Sequence, residues 1–177
     1  MSGFAGTISP GGDAEAPLGL LNSDARGDVA QRLRLAGSSH SLWFLSTAEH
    51  TIVENQDWVL AFSGQLYGLS IDQLFQLWCQ QGVELLPNIH GSFTMACWDK
   101  NNQRLWLIRD AMGIKPLFWS QSQDHIAFAN EPSGLLSLPW VSSELAFSQL
   151  AEYLSFRYVH APNTLYRDIS ALPAGHL

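Results

Sequence analysis

The stretch GSFTMACWDKNNQRLWLIRDAMGIKPLFW, residues 91–119, decides the fold. SFTMACW is an apolar run with β-branched and aromatic members, too short for an independent helix. Asp99-Lys100-Asn101-Asn102-Gln103 supplies turn chemistry, because Asn and Asp tolerate positive φ and hydrogen-bond their own backbone. Leu105-Trp106-Leu107-Ile108 then returns as a second apolar run. Neither run alternates with polar residues, so the pair reads as a β-hairpin buried on both faces. Arg109-Asp110 places a charge pair at the hairpin's end, read as structural use that orients the exit. Gly113 permits a reversal, Pro116 stiffens the chain beyond it, and Leu117-Phe118-Trp119 begins another strand.

Working outward, Gly3 to Ile8 reads as a short strand, closed by the breaker Ser9-Pro10-Gly11-Gly12. Asp28 to Ala36 reads as a helix with Asp28 as N-cap and Val29, Leu33 and Leu35 apolar. Ser41–Thr47 and Trp58–Phe62 are predicted strands, and Ser70–Gln81 a helix stopped by Gly82. On the far side of the hairpin, His125–Ala129 is a strand and Ser133–Leu138 a turn or short helix. Glu144–Phe156 is a helix on the spacing of Leu145, Leu150, Tyr153 and Leu154. From Arg157 onward, Pro162, Pro173 and Gly175 predict an irregular tail. Strands outnumber helices and most are apolar on both sides, a pattern that two stacked sheets with helices outside would accommodate.

Composition narrows the function. The 177 residues carry 46% hydrophobic content, seven Trp and nine Phe, enough for a sizeable core. A net charge of -7 without a basic cluster argues against nucleic acid or an anionic membrane as partner. No apolar run approaches the ~20 residues of a membrane span, and the N-terminus lacks a basic start and apolar core of a signal peptide. Cys79 and Cys97 lie in apolar surroundings without metal spacing and read as buried free thiols in a reducing cytoplasm. His40, His50, His90, His125, His160 and His176 are scattered, with no ligand spacing, and no phosphate-binding glycine loop follows a strand. No metal site is expected.

Several stretches resemble one family in collinear order. RDAMGIKPLFW resembles the RDxxGxKPLYY segment of the N-terminal glutaminase domain of asparagine synthetase and its relatives, the class II glutamine amidotransferases. GSFTMACWD is similar to their G-M/S-F-A-F-A-L-W-D strand, MSGFAG to MCGIAG, and FSGQLYG (Phe62–Gly68) to FNGEIYN. IAFANEPSGLL (Ile126–Leu136) is similar to F-A-S-E-x-K-A-L-L. YLSFRYVHAPNTLYRDISALPAGHL resembles the lead into the family's synthetase domain. The resemblance implies an α+β fold, the four-layer αββα sandwich of the N-terminal-nucleophile hydrolases. It divides the chain into a glutaminase-like domain over residues 1–143 and a C-terminal helix and linker over 144–177, leading toward a missing synthetase domain.

The same resemblance assigns the chemistry. The family's nucleophile is a cysteine at position two, whose own α-amino group, with pKa near 8, acts as base after Met1 is removed. Here that position is Ser2, whose hydroxyl is far less acidic than a thiol. The family's oxyanion hole joins an Asn side-chain amide to a Gly N–H; Ser63-Gly64 stands there, keeping the backbone donor and losing the amide. Losing one such donor typically costs ~10²–10³ in rate. The strand that carries the family's carboxylate-binding Arg is SLWFLST, without arginine, and Ser70 stands where an Asp holds glutamine's amino group. Of the HRGPD motif only Arg26-Gly27-Asp28 offers an echo. Without its Arg and Asp the pocket would leave a zwitterion unpaired.

The expectation is a catalytically degenerate glutaminase domain that scaffolds an ATP-dependent, amide-forming asparagine synthetase-like enzyme, of the β-lactam synthetase or lasso-peptide cyclase type. Its partner would be an ATP-pyrophosphatase synthetase domain in cis or in trans, the chain being a truncated form, a fragment or half of a split system; a homodimer stays open. ATP and magnesium belong to that missing domain, and this chain needs no cofactor. Two alternatives stand: an active glutaminase supplying ammonia with Ser2 (or an engineered Cys→Ser) as nucleophile, and a stand-alone interaction module.

Overall fold

The computed structural model describes residues 3–10, 31–36, 40–47 and 51–177. Two antiparallel sheets organise them. The larger contains β1 (Phe4–Pro10), β2 (Gln31–Ala36), β3 (His40–Ser46), β8 (Phe118–Ser122), β9 (His125–Ala129) and β10 (Ser170–Ala171), in the order β10-β8-β9-β1-β3-β2. The smaller runs β4-β5-β6-β7, from β4 (Ile52–Glu54), β5 (Trp58–Leu66), β6 (Gly91–Asp99) and β7 (Arg104–Arg109).

The central hairpin forms as expected. β6 and β7 pair from Thr94↔Arg109 to Asp99↔Arg104. The turn is held by Asp99, whose Oδ1 accepts the N–H groups of Asn101 and Asn102 at 2.9 Å and whose Oδ2 accepts from Asn102 Nδ2 at 2.7 Å. Burial pushes the Asp99 carboxyl up, but these donors outweigh it and hold it below the usual carboxylate value.

Both faces of this strand pair are covered, which is why its apolar runs do not alternate with polar residues. Val59, Ala61 and Ala96 face the first sheet and pack with Phe4, Phe44 and Phe128. The opposite face, with Leu60, Met95 and Cys97, packs against Leu74 and Trp78 of α1 (Ile71–Gln81). The outer face of the six-stranded sheet packs Ala5, Leu45 and Ala127 against Leu135 of α2 (Pro132–Leu136), together with Val141 and Ile169. Close sheet contact at β1 requires glycine: a Cβ on Gly6 would stand 2.3 Å from the Phe128 ring and 2.7 Å from Trp43 O.

Helix α1 starts as the sequence predicts, with a capping box. The Ser70 hydroxyl accepts from Gln73 N at 3.2 Å while Gln73 Oε1 accepts from Ser70 N at 2.9 Å. Three expectations need correction. Residues 31–36 form strand β2, not the end of a helix over 28–36; residues 28–30 of that reading lie outside the described residues. QRLRLA has period two: Leu33 and Leu35 are half-buried against the core while Arg32 and Arg34 are exposed. Helix α3 spans Phe147–Phe156, later than predicted, because Leu145 bridges Tyr166 in a short β contact. Cys97 is buried and its thiol is pushed well up by desolvation, whereas Cys79 is half-buried and accepts from Asn55 Nδ2 at 3.3 Å. No helix among the described residues is long and apolar enough to cross a membrane.

Candidate functional site

Side-chain alternation along the strands defines one end of the space between the sheets. On β5, Val59 and Ala61 face the first sheet, so Ser63 continues that face; on β6, Ala96 does, so Thr94 does too, directly across from Ser63. Ser63 and Thr94 are both buried. From the opposite sheet Asn130 reaches across. Its Nδ2 donates to Thr94 Oγ1 at 2.9 Å and to Pro116 O at 2.8 Å, and its Oδ1 accepts from Phe4 N at 2.8 Å. One amide side chain thus ties the start of β1 to the other sheet.

The residue ahead of Phe4 is held as firmly. Gly3 N donates to Thr47 Oγ1 at 3.0 Å, and Gly3 O accepts from Thr47 N at 3.1 Å and from Ser46 Oγ at 3.3 Å. Ser46 Oγ also hydrogen-bonds Thr51 Oγ1, and Gln31 Oε1 accepts from the backbone of Thr51 and Ile52 at 2.8 and 2.9 Å. These hydroxyls and amides are uncharged. Ser2, the family nucleophile position, and Arg26-Gly27-Asp28 lie outside the described residues.

The direction of the Gly64 N–H follows from the strand ladder. Phe62 N donates to Thr51 O toward β4, and Tyr67 N donates to His90 O toward the β6 side. Alternation of the ladder therefore turns the Gly64 N–H to the β4 edge, beyond the last β4 pair, Ile52↔Ala61. Gly64 is exposed, with φ 136°, and a Cβ there would stand 2.1 Å from Ser92 O. Only glycine fits.

Among the described residues, two arginines are engaged in other ways. Arg34 on β2 lies with its guanidinium carbon 5.5 Å from the Trp43 ring centroid, on the face of the sheet turned away from β5 and β6. Arg109, paired with Thr94, donates to three main-chain carbonyls: Lys115 O (2.7 Å), Leu172 O (2.6 Å) and Gly113 O (2.7 Å). Burial draws its guanidinium below the ordinary value, against the pull of neighbouring Asp110. Buried Asp110 accepts from Met112 N at 3.0 Å and from Ile114 N and Lys115 N at 3.3 Å. The pair is a staple for the loop between β7 and β8.

Of the residues singled out from sequence, Ser63 and Gly64 fall at this polar end, while Ser70 is exposed and caps α1. Thr94 and Asn130 were missed. Their signal was present: Thr94 stands at an Ala of the family's G-M/S-F-A strand, and Asn130 at the Ser of F-A-S-E. Among the described residues no three His, Cys, Asp or Glu side chains converge as metal ligands.

The profile of the family described as "Glutamine amidotransferase domain" matches residues 71–177. Glutamine-hydrolyzing asparagine synthetase 2 of Bacillus subtilis is 32% identical over 118 residues, 58% of this chain and 14% of that protein. A putative glutamine-hydrolyzing asparagine synthetase of Mycobacterium tuberculosis is 35% identical over 97 residues, 53% of this chain and 15% of its own. A putative homologue of that name from Methanocaldococcus jannaschii is 17% identical over 139 residues, 69% of this chain and 27% of its own. The matched segments thus span about a seventh to a quarter of these relatives. Motifs, paired sheets and profile agree: the chain belongs to the glutamine amidotransferase domain family, in the form found in asparagine synthetase-like proteins.

Proposed function

We propose that this domain no longer hydrolyses glutamine and serves as the scaffold of an asparagine synthetase-like, ATP-dependent amide-forming enzyme. Its layers, helix α1, two facing sheets and the α2 side, are read as the αββα sandwich of the N-terminal-nucleophile hydrolases. Ser2 takes the nucleophile's place, Ser63 that of the amide donor and Ser70 that of an acidic substrate ligand.

The observation that carries the proposal is the chemistry of the polar end. Among the described residues, Ser46, Thr51, Thr94 and Asn130 present neutral donors and acceptors, Ser46 bonded to Thr51 and Asn130 to Thr94. The neighbouring guanidinium, Arg109, is committed to three carbonyls. A glutamine zwitterion entering such a site would leave water without a charged partner, at a cost of several kcal/mol. The retained Gly64 N–H is the feature an active enzyme would also need, and one donor alone leaves ~10²–10³ of rate unrecovered.

The test is glutamate release from glutamine by the chain with Met1 removed. No release above buffer is expected; turnover sensitive to replacement of Ser2 would overturn the proposal in favour of an active glutaminase. The amide-forming step, with ATP and magnesium, is assigned to a synthetase segment acting in cis or in trans.

A further inference from the structure

Residues of α3 and the loop after it build a second polar arrangement, unrelated to the polar end between the sheets. Glu152 is one turn from the end of α3. Arg157 closes the helix in the left-handed region, with φ 66°, and turns the chain back so that His160 meets Glu152. Glu152 Oε1 accepts from His160 N at 3.0 Å and also takes the ring Nδ1. On the other side of the imidazole, Nε2 lies 2.9 Å from Tyr158 Oη. Carboxylate, imidazole and phenol stand in a row. The His160 bond holds the Glu152 carboxyl below its usual value, so the carboxylate is the form that faces the ring.

Two further features make this row more than a loop fastening. The Tyr158 and His160 rings meet at 4.6 Å between centroids, tilted by 59°, and Phe156 stands edge-on 6.0 Å from the imidazole, so the ring is held on two sides. Tyr158 and His160 also line a cavity of about 690 Å³, whose wall includes Tyr153, Tyr166, Phe118 and Met112. The phenol remains accessible, with Tyr158 54% exposed.

We propose that Tyr158 is an activated nucleophile toward small activated carboxylic esters held against this apolar wall. A hydroxyl bonded to an imidazole, itself oriented by a carboxylate, is the arrangement that makes a weak oxygen nucleophile reactive. Glu152 takes Nδ1–H and leaves Nε2 as acceptor. In the reaction the Tyr158 oxygen bonds to the ester carbonyl carbon and the bond to the leaving alkoxide breaks. The phenolic proton moves to His160 Nε2 and from there to solvent or the leaving group. The product is an O-acyl tyrosine, with no oxidant, reductant or metal required.

p-Nitrophenyl acetate is the probe, used with the full chain at pH 8 and read by peptide mass spectrometry. Tyr67 and Tyr153, 58% and 38% exposed, are internal references in the same molecule. Acetylation of Tyr158 is expected to run at least about tenfold faster than at either reference, a modest share of what a positioned base can add. His160→Gln and Glu152→Gln should bring Tyr158 down to the reference rate while Tyr67 is unchanged. Acetyl spread over the tyrosines in proportion to exposure would overturn the proposal, and so would a Tyr158 rate indifferent to His160→Gln. The comparison with Tyr67 needs no variant, so it decides the matter even where a substitution loosens the loop.

Discussion

Thr94 and Arg109 face each other across the β6–β7 ladder, and the regions they belong to have opposite chemistry. On the Arg109 side, a guanidinium and a buried carboxylate are saturated by backbone groups of the loop between β7 and β8. On the Thr94 side, the described polar groups are neutral: Asn130 donates to Thr94 and Ser46 bonds Thr51. Among the described residues, charged side chains hold a loop in shape on one side, and the polar groups on the other side are neutral. The contrast separates what the fold needs from what glutaminase chemistry would need. Substitutions on either side break or sharpen it.

The largest effect is expected at Gly64→Ala. Both a left-side φ of 136° and a clash at 2.1 Å with Ser92 O must be relieved by moving backbone in the middle of the smaller sheet. The loss should be about 4 kcal/mol, strain and overpacking together. Urea unfolding measures it. A loss below about 1 kcal/mol would mean that β5 can shift at this point, and that the Gly64 N–H is not fixed in the direction the ladder gives it.

Asp110→Ala comes next, on the charged side. It strands three N–H groups of the loop and leaves Arg109 without its adjacent anion, for an expected loss of about 3 kcal/mol. Asp110→Asn should recover only part, since one amide oxygen replaces two carboxylate oxygens as acceptors. On the neutral side Asn130→Ala removes three hydrogen bonds, one of which joins the two sheets, for an expected loss of about 2 kcal/mol. Hydrogen exchange should then rise at Phe4 N, whose acceptor is gone, with β6 protected as before. Equal losses at Asp110 and Asn130 would erase the distinction between a charged staple and a neutral one.

Much of the fold was legible because its strongest signals are local. Two apolar runs around Asp99-Lys100-Asn101-Asn102-Gln103 give the hairpin, and Ser70 with Gln73 gives the start of α1. β2 was misread because Val29, Leu33 and Leu35 mimic helical spacing, while Arg32 and Arg34, alternating with the leucines, carry the period of an edge strand. At the site, Ser63 and Gly64 could be placed by resemblance, whereas Asn130 shows along the chain only as a departure from F-A-S-E, with nothing local to name its partners. Its partners Phe4 and Thr94 are 126 and 36 residues away, and only the stacking of the sheets brings them together. The same holds for His160, whose isolation from other ligand-type residues hides Glu152 eight positions earlier across a helix end.

The smallest effect is expected from the substitutions that copy the family most closely. Ser2→Cys with Ser63→Asn would return a thiol and an amide donor, two groups that together account for several orders of magnitude in such chemistry. Even so, glutamate release should stay at the level of the unaltered chain. On the proposed reading, attack on the amide requires glutamine to be held with its carbonyl against the Gly64 N–H, and the polar groups described beside it are neutral. Arg109 cannot turn toward it without abandoning Gly113, Lys115 and Leu172 carbonyls, the contacts that shape the loop. Turnover in the double variant would show that a charged grip exists after all; a thiol that alkylates readily yet releases no glutamate would locate the defect in binding and not in the nucleophile.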